Sequence, residues 1–111
     1  MSALNLYRGI DSAAIRPFAA EAGRNEAFTT VKLFTDGMEV TWMISTADLP
    51  ALTQRLRDVA DAIESGQSVT LDKGWRGEDG KWVAMASPLI VNGTAFPKGY
   101  TVRAAAYEAM R

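Results

Sequence analysis

The stretch KGWRGEDGKW, residues 73–82, carries the side chains of this chain that are best suited to grip a ligand. Cations and aromatic rings alternate along it: Lys73, Trp75, Arg76, Lys81 and Trp82. Flat rings beside cations can stack a nucleobase and neutralise its phosphate, each stacked base contributing about 1–3 kcal/mol. Trp and Arg also dominate the hot spots of protein interfaces. The stretch therefore predicts a binding surface, either for a protein or for a nucleotide or single-stranded nucleic acid.

Charge and further aromatic residues extend this surface into the rest of the C-terminal half. From Gly66 onward the chain has six basic and four acidic residues, against six basic and nine acidic residues before it. An anionic ligand is therefore expected to prefer the C-terminal half. Within the stretch itself Glu78 and Asp79 disfavour a polynucleotide, because they add negative charge where phosphate would bind. The predicted partner-binding residues are Lys73, Trp75, Arg76, Lys81, Tyr100 and Arg103.

The same stretch has a purely structural interpretation. Residues 78–80 would make a turn, and Trp75 and Trp82 would lie across two strands from each other and cover an edge of the core. Trp82 opens the apolar run WVAMA and is expected to be buried. Trp75 and Arg76 lie between two glycines. We therefore expect these two residues to be exposed in the turn.

Three acidic residues, Asp58, Asp61 and Glu64, recur at three-residue steps on a predicted helix. This spacing puts their carboxylates near one face, where such groups can hold a divalent cation. Arg55 and Arg57 precede two of them by three and four residues. A solvated face with compensating charges explains the pattern better, so we predict no metal site.

The chain has no cysteine and no histidine. Their absence excludes disulfides, thiolate nucleophiles, Cys or His zinc sites and a histidine general base. It also lacks G-x-S-x-G, S-x-x-K, P-loop and dinucleotide-binding sequences. We therefore predict a protein that is not an enzyme and needs no cofactor. An enzyme working with Ser, Thr, Tyr, Lys or carboxylates is the least favoured alternative.

Length and composition are typical of one globular domain. The chain has 111 residues, is 48% hydrophobic and 23% charged, and balances twelve basic against thirteen acidic residues. We predict one compact domain over residues 1–111. The sequence shows no signal peptide and no stretch near the roughly 20 apolar residues that a membrane span needs. These features predict a cytoplasmic protein that does not bind membranes.

Two turn signals and one helical stripe predict the elements that position the surface. Asp36-Gly37 predicts a tight hairpin between strands near 27–35 and 38–45, and Asn92-Gly93 predicts another tight turn. The alternating residues expected to face the core of the first hairpin are Val31, Leu33, Val40, Trp42 and Ile44.

The longest predicted helix covers STADLPALTQRLRDVADAIESG, with Ser45 and Asp48 at its start and Gly66 at its end. Apolar residues recur along it at steps of three and four, and we expect this stripe to lie across the hairpin. The members of the stripe are Leu49, Leu52, Leu56, Val59, Ala60 and Ile63.

The remaining segments complete the predicted fold. DSAAIRPFAAEAG, residues 11–23, is rich in alanine and predicts a helix that begins or breaks near Pro17. QSVTLD and KWVAMAS are expected to pair as antiparallel strands flanking the loop. TVRAAAYEAM fits either a short helix or an edge strand. The predicted fold class is α+β in two layers, with an antiparallel sheet built from hairpins packed against one long amphipathic helix and shorter terminal helices.

Residues 62–83 slightly resemble the helix, strand and Gly-Trp turn of small phage proteins that sequester nucleotide signals from bacterial immune systems. The resemblance covers about a fifth of the chain, lacks the N-terminal placement of that motif, and identifies no family. The residues themselves predict a small non-enzymatic protein that occupies a surface of a partner protein, as an adaptor or inhibitor. An origin in a phage or mobile element, directed at a host complex, would suit such a chain. The alternative is a nucleotide or single-stranded nucleic-acid binder.

Overall fold

A computed structural model describes residues 5–6, 9–21, 26–72, 74–76, 82–84 and 88–110. The chain divides into two compact units, residues 1–52 and 53–111. Its fold is α+β, as predicted, but the strands form separate antiparallel sheets where a single sheet was predicted. The single domain over residues 1–111 stays a prediction.

The first unit contains a three-stranded antiparallel sheet in the order β1-β2-β3. Its strands are β1 (Ser12–Phe18), β2 (Phe28–Thr35) and β3 (Met38–Ser45). Asp36 and Gly37 join β2 to β3 with φ angles of 49° and 75°. Two positive φ angles define the type I′ turn, whose twist matches that of the paired strands. The predicted hairpin is therefore confirmed, with strand bounds within one residue of those expected.

The faces of this sheet follow the predicted alternation. Val31 lies opposite Trp42 and Leu33 opposite Val40, so these apolar residues share one face. All five residues predicted to face the core are half-buried, and none is fully buried. Burial alternates in β3, where Met43 on the other face is 71% exposed, but not in β2, where Lys32 and Phe34 on the other face are also half-buried. The prediction is therefore confirmed for β3 only.

The N-terminal segment is a strand where a helix was predicted. β1 pairs with β2 along its whole length. It is an edge strand, where proline is tolerated because the missing N–H need not join a ladder. In a helix interior Pro17 would cost about 3 kcal/mol. Pairing with a neighbouring hairpin thus overrides the weak helical preference of the alanines.

The turn at Gly37 predicts a measurable backbone effect. A β-branched residue resists positive φ, so Gly37→Val is expected to lower the free energy of unfolding by about 1–2 kcal/mol. A Cβ at Gly37 would meet nothing within 4 Å, so the cost comes from the backbone and not from a clash. Chemical denaturation checks this result.

Gly9→Val is the matched control, because a Cβ there also meets nothing within 4 Å and Gly9 has no positive φ. Equal stability of the two variants would contradict the type I′ turn.

The elements that follow the first sheet are α1 (Leu49–Ser65), β4 (Val69–Leu71), β5 (Gly74–Arg76), β6 (Trp82–Ala84), β7 (Leu89–Val91), β8 (Thr94–Phe96) and α2 (Val102–Ala109). One three-stranded sheet has the order β4-β7-β8, and β5 and β6 form a separate pair. Asn92 and Gly93 join β7 to β8 with φ angles of 50° and 82°, which confirms the second predicted turn.

The Asn92 side chain is held on both sides: its Oδ1 accepts from the Ser68 amide at 3.1 Å, and its Nδ2 donates to Gln67 Oε1.

QSVTLD and KWVAMAS contain strands β4 and β6, as predicted, but these two strands do not pair with each other. β4, from the first segment, pairs with β7, where Val69 lies opposite Val91 and Leu71 opposite Leu89. β6, from the second segment, pairs with β5. The β4–β7 register sets apolar side chains opposite apolar side chains, which lets one face enter the core.

A small core joins this sheet to α2. Its buried members are Leu89, Val91, Phe96, Val102 and Ala105, with Ala62, Val69, Leu71 and Ala109 packed against them. Thr101 starts α2, because its Oγ1 accepts a hydrogen bond from the Ala104 amide at 3.0 Å. The C-terminal segment is therefore the helix of the two predicted alternatives.

The end of α1 agrees with the sequence signals, but its start differs. A short 3-10 helix, Thr46–Asp48, precedes α1, and the Ser45 hydroxyl donates to the Asp48 carboxylate at 3.0 Å instead of capping the backbone. Gly66, with a φ of 68°, follows its last residue. No helix in the described part of the chain is long and apolar enough to cross a membrane.

The predicted apolar stripe of α1 is largely open to solvent. Leu56, Val59 and Ile63 are 44%, 41% and 75% exposed, and α1 has no buried residue. Ala62, which flanks the stripe, packs against the core of the second unit instead. The prediction that the stripe is buried is therefore wrong for Leu56, Val59 and Ile63. The packing of α1 as a whole against a sheet layer stays a prediction.

Two Leu→Ala changes test this reassignment. Leu89→Ala removes a side chain that is only 5% exposed and is expected to cost about 2–5 kcal/mol. Leu56→Ala, at a site 44% exposed, is expected to cost about 1 kcal/mol or less. Denaturant titrations at low protein concentration compare the two. Equal losses would show that Leu56 is covered, as the sequence alone predicts.

Candidate binding surface

The β5–β6 hairpin is an insertion between two paired strands of the second unit. The chain leaves the sheet after β4 and returns to it at β7. The Asp72 amide donates to the Pro88 carbonyl at 2.8 Å, which closes the base of the insertion. Leu71 and Leu89, one residue outside this bond, both belong to the core. The hairpin thus begins and ends on the best-packed part of the unit.

The predicted anchors Trp75 and Arg76 lie in β5, and not in a turn between glycines as predicted. Trp75 lies opposite Val83, and Arg76 lies opposite Trp82. The two tryptophans are therefore not directly opposed, contrary to the purely structural interpretation. The sequence does not predict strand β5, because glycine, which disfavours strands, interrupts the alternation of side chains that identifies a strand.

Two of the predicted cations, Lys73 and Lys81, lie outside the described residues. They border the hairpin strands in sequence: Lys73 directly precedes β5, and Lys81 directly precedes β6. Their part in the surface stays a prediction.

Tyr100 lies on the edge of the core of the second unit. Its ring centroid is 5.0 Å from that of the buried Phe96, with a tilt of 58° between the rings. Tilted aromatic pairs at this distance are favourable. Because Tyr100 is still 45% exposed, it presents a fixed aromatic surface rather than a fully buried one.

Arg103 projects from α2 towards an acidic residue of α1. Its Nε donates to Asp61 Oδ1 at 3.1 Å, with side-chain exposures of 76% for Arg103 and 25% for Asp61. Arg103 thus supplies a compensating charge at Asp61 that the sequence did not predict, while compensation by Arg55 and Arg57 stays a prediction. Exposed pairs of this kind contribute about 0.2–1 kcal/mol. The ion pair orients the guanidinium group but leaves most of Arg103 accessible.

A shallow groove of about 270 Å³ lies between α1 and α2 in the second unit. Its lining includes Asp61, Glu64, Arg103, Tyr107 and Met110. The volume is below that of usual small-molecule pockets, about 300–1,000 Å³, so the groove suits a single side chain of a partner. Tyr107 and Met110 are each 67% exposed. Sequence reasoning missed both, because their helical spacing carries information only once α2 is known to be a helix.

Two of the three acidic residues of α1 accept hydrogen bonds from other side chains. Asp58 accepts from Gln54 Nε2 at 3.0 Å, and Asp61 accepts from Arg103. Within the described ranges, no three His, Cys, Asp or Glu side chains come together as a metal-binding group.

No protein-family model, curated protein or solved structure matches this chain. The surface is therefore interpreted from its own residues.

Proposed function

We propose that this is a non-enzymatic binding protein that acts by occupying a surface of a partner protein, with Trp75 and Arg76 as its anchors. The observation that carries the proposal is the β5–β6 hairpin, inserted between β4 and β7 and closed at its base by the Asp72–Pro88 hydrogen bond. Function is often placed on segments that a rigid scaffold positions.

Residue types support a protein partner. Trp and Arg are the commonest hot-spot residues of protein interfaces, and together with Tyr100 and Arg103 they supply such types within one unit. The excess of basic residues after Gly66 favours a partner with an acidic patch, since complementary charge speeds association and selects partners. An adaptor or inhibitor in the cytoplasm, as a phage or mobile element would direct at a host complex, is the role we propose.

A nucleotide or single-stranded nucleic acid is the competing ligand. It would use the same aromatic and basic residues. Asp61 weighs against it, because a carboxylate at 3.1 Å from the Arg103 guanidinium competes with phosphate for that group.

The test combines capture with a salt titration. The tagged protein is used to capture ligands from extract of its own cells, and proteins and nucleotides are both identified by mass spectrometry. The affinity of the purified ligand is then measured between about 50 and 200 mM salt, where six or more phosphate contacts of a nucleic acid lose about a thousandfold or more in affinity. A protein ligand with a change below about tenfold supports the proposal. Capture of a nucleotide, or of a nucleic acid whose affinity falls steeply with salt, overturns it.

A further inference from the structure

The groove between α1 and α2 lies where both helices end. It is lined by Glu64 and Ser65, the last two residues of α1, and by Tyr107 and Met110 at the end of α2. The carbonyl end of a helix carries a negative charge equivalent to about half an elementary charge. Two such ends make the groove a favourable place for a cation.

Neither helix supplies a cation from its own last turn. α1 and α2 both lack a basic residue there, although basic residues are favourable at this position. In α1 a neutral group bonds to the last turn instead: the Ser65 hydroxyl donates to the Ala62 carbonyl at 2.7 Å. The negative potential of the two helix ends is therefore not offset by a charged residue of those turns.

The charged side chains of the groove add to this potential. Asp61 and Glu64 contribute two carboxylates, and Arg103 contributes one guanidinium. Arg103 is bound to Asp61 at 3.1 Å, so these two charges largely offset each other. Glu64 is exposed, and within the part of the chain that the structure describes no ion pair includes it. Its carboxylate is therefore the group that a cation from outside would meet.

The rest of the lining suits an aliphatic chain. Ala106 is buried, whereas Tyr107 and Met110 are each 67% exposed. Lysine and arginine lay their methylene groups along apolar surface and keep the charged group at the polar end. The face of a tyrosine ring also attracts a cation. Because the volume of about 270 Å³ is below that of usual small-molecule pockets, the groove fits one side chain of a larger ligand.

We propose that the groove receives one lysine or arginine side chain of a protein partner, with its methylene groups against Tyr107 and Met110 and its charged group at Glu64. The inference rests on the proposed function for the existence of a protein partner. It adds that the partner presents a basic side chain as well as an acidic patch. Its test uses a blocked amino acid and no partner, so either proposal can fail alone.

Titration of the full chain with Nα-acetyl-lysine amide, followed by NMR, tests the inference. The backbone amide signals of residues 61–65 and 103–110 are expected to shift, with a Kd in the millimolar range that a single side chain can reach. Nα-acetyl-norleucine amide has the same four side-chain carbons without the charge. It is expected to bind about fivefold more weakly, the effect of one ion pair near the upper end of the usual range for exposed pairs.

Glu64→Gln removes the carboxylate and keeps the length of the side chain. It is expected to weaken binding of the lysine amide about fivefold and to leave binding of the norleucine amide unchanged. Glu108→Gln is the matched control, because it makes the same change in net charge at an exposed residue that does not line the groove. It should leave the Kd of the lysine amide unchanged. The NMR spectrum of each variant also shows that it folds.

Arg111 follows α2 in the sequence and lies outside the described residues, so Arg111→Gln is titrated as well. Binding of the lysine amide to this variant alone would show that an arginine of the chain itself takes the groove, and would overturn the inference. Equal binding of the lysine and norleucine amides, tighter binding of Nα-acetyl-glutamate amide, or equal effects of Glu64→Gln and Glu108→Gln would also overturn it.

Discussion

Replacing Trp75 and Arg76 together with alanine is expected to weaken binding of the partner about thirtyfold or more, a loss of about 2 kcal/mol. Truncated Trp and Arg anchors have effects of this size because they remove large contact areas and charge-assisted hydrogen bonds from the centre of an interface. If both residues serve the interface and not the core, stability should change by about 0.5 kcal/mol or less, as is usual for substitutions outside the core. Affinity and melting temperature are measured on the same preparation.

The first unit offers a chemically matched control, Arg16→Ala with Phe18→Ala. These residues also pair an arginine with an aromatic ring on an exposed strand, β1. The control should keep full affinity, although loss of the ring stacking between Phe18 and Phe28 (4.9 Å) is expected to cost some stability. Unchanged affinity in the Trp75 and Arg76 variant would reject these anchors. A collapse of its melting temperature would place Trp75 in the core.

Phe96→Ala is expected to lower the stability of the second unit by about 3–5 kcal/mol. Phe96 is 8% exposed, lies in the cluster around the fully buried Val91, and supports the ring of Tyr100. Its removal would leave a cavity in a small core that has few other large side chains to fill it. Hydrogen exchange followed by mass spectrometry measures the loss of protection in each segment, so the stability of the two units is determined separately.

Tyr107→Ala provides the comparison for Phe96→Ala, because Tyr107 is an aromatic residue of the same unit that is 67% exposed. It should change exchange rates far less. Similar effects of the two changes would contradict the assignment of the core to Leu89, Val91 and Phe96.

The turns could be predicted from the sequence because their chemistry is local. Asp-Gly and Asn-Gly supply residues that tolerate positive φ, and the structure has such angles at Asp36, Gly37, Asn92 and Gly93. The end of α1 at Gly66 follows from the same property. Each of these signals needs only two or three neighbouring residues.

The errors concern choices that depend on distant residues. Residues 11–23 look helical by composition, but a strand partner, β2, was available nearby. β4 could pair with either of two later segments, and the match of Val69 and Leu71 to β7 decided the outcome. The periodicity of α1 showed that it has an apolar face but not what covers that face.

The candidate surface was predictable by residue type and not by geometry. Trp75 and Arg76 can be recognised as interface residue types from the sequence alone. Their place in a hairpin whose base is closed by the Asp72–Pro88 hydrogen bond becomes clear only once the β4–β7 pairing is known. Tyr107 could be assigned to the surface only after α2, which begins after Thr101, was known to be a helix.

The hydrogen bonds around Asn92 also affect how this protein ages. Asn-Gly is the dipeptide in which the following backbone nitrogen most readily attacks the side-chain amide, because glycine offers no steric barrier, and asparagine is accordingly thermolabile. In the folded chain Ser68 and Gln67 hold both ends of that amide, which restrains it from reaching the attacking nitrogen. Loss of ammonia at this site would add a negative charge and remove the donor to Gln67. Folding of the β7–β8 hairpin therefore protects the chain against deamidation, and deamidated Asn92 would mark molecules that have spent time unfolded.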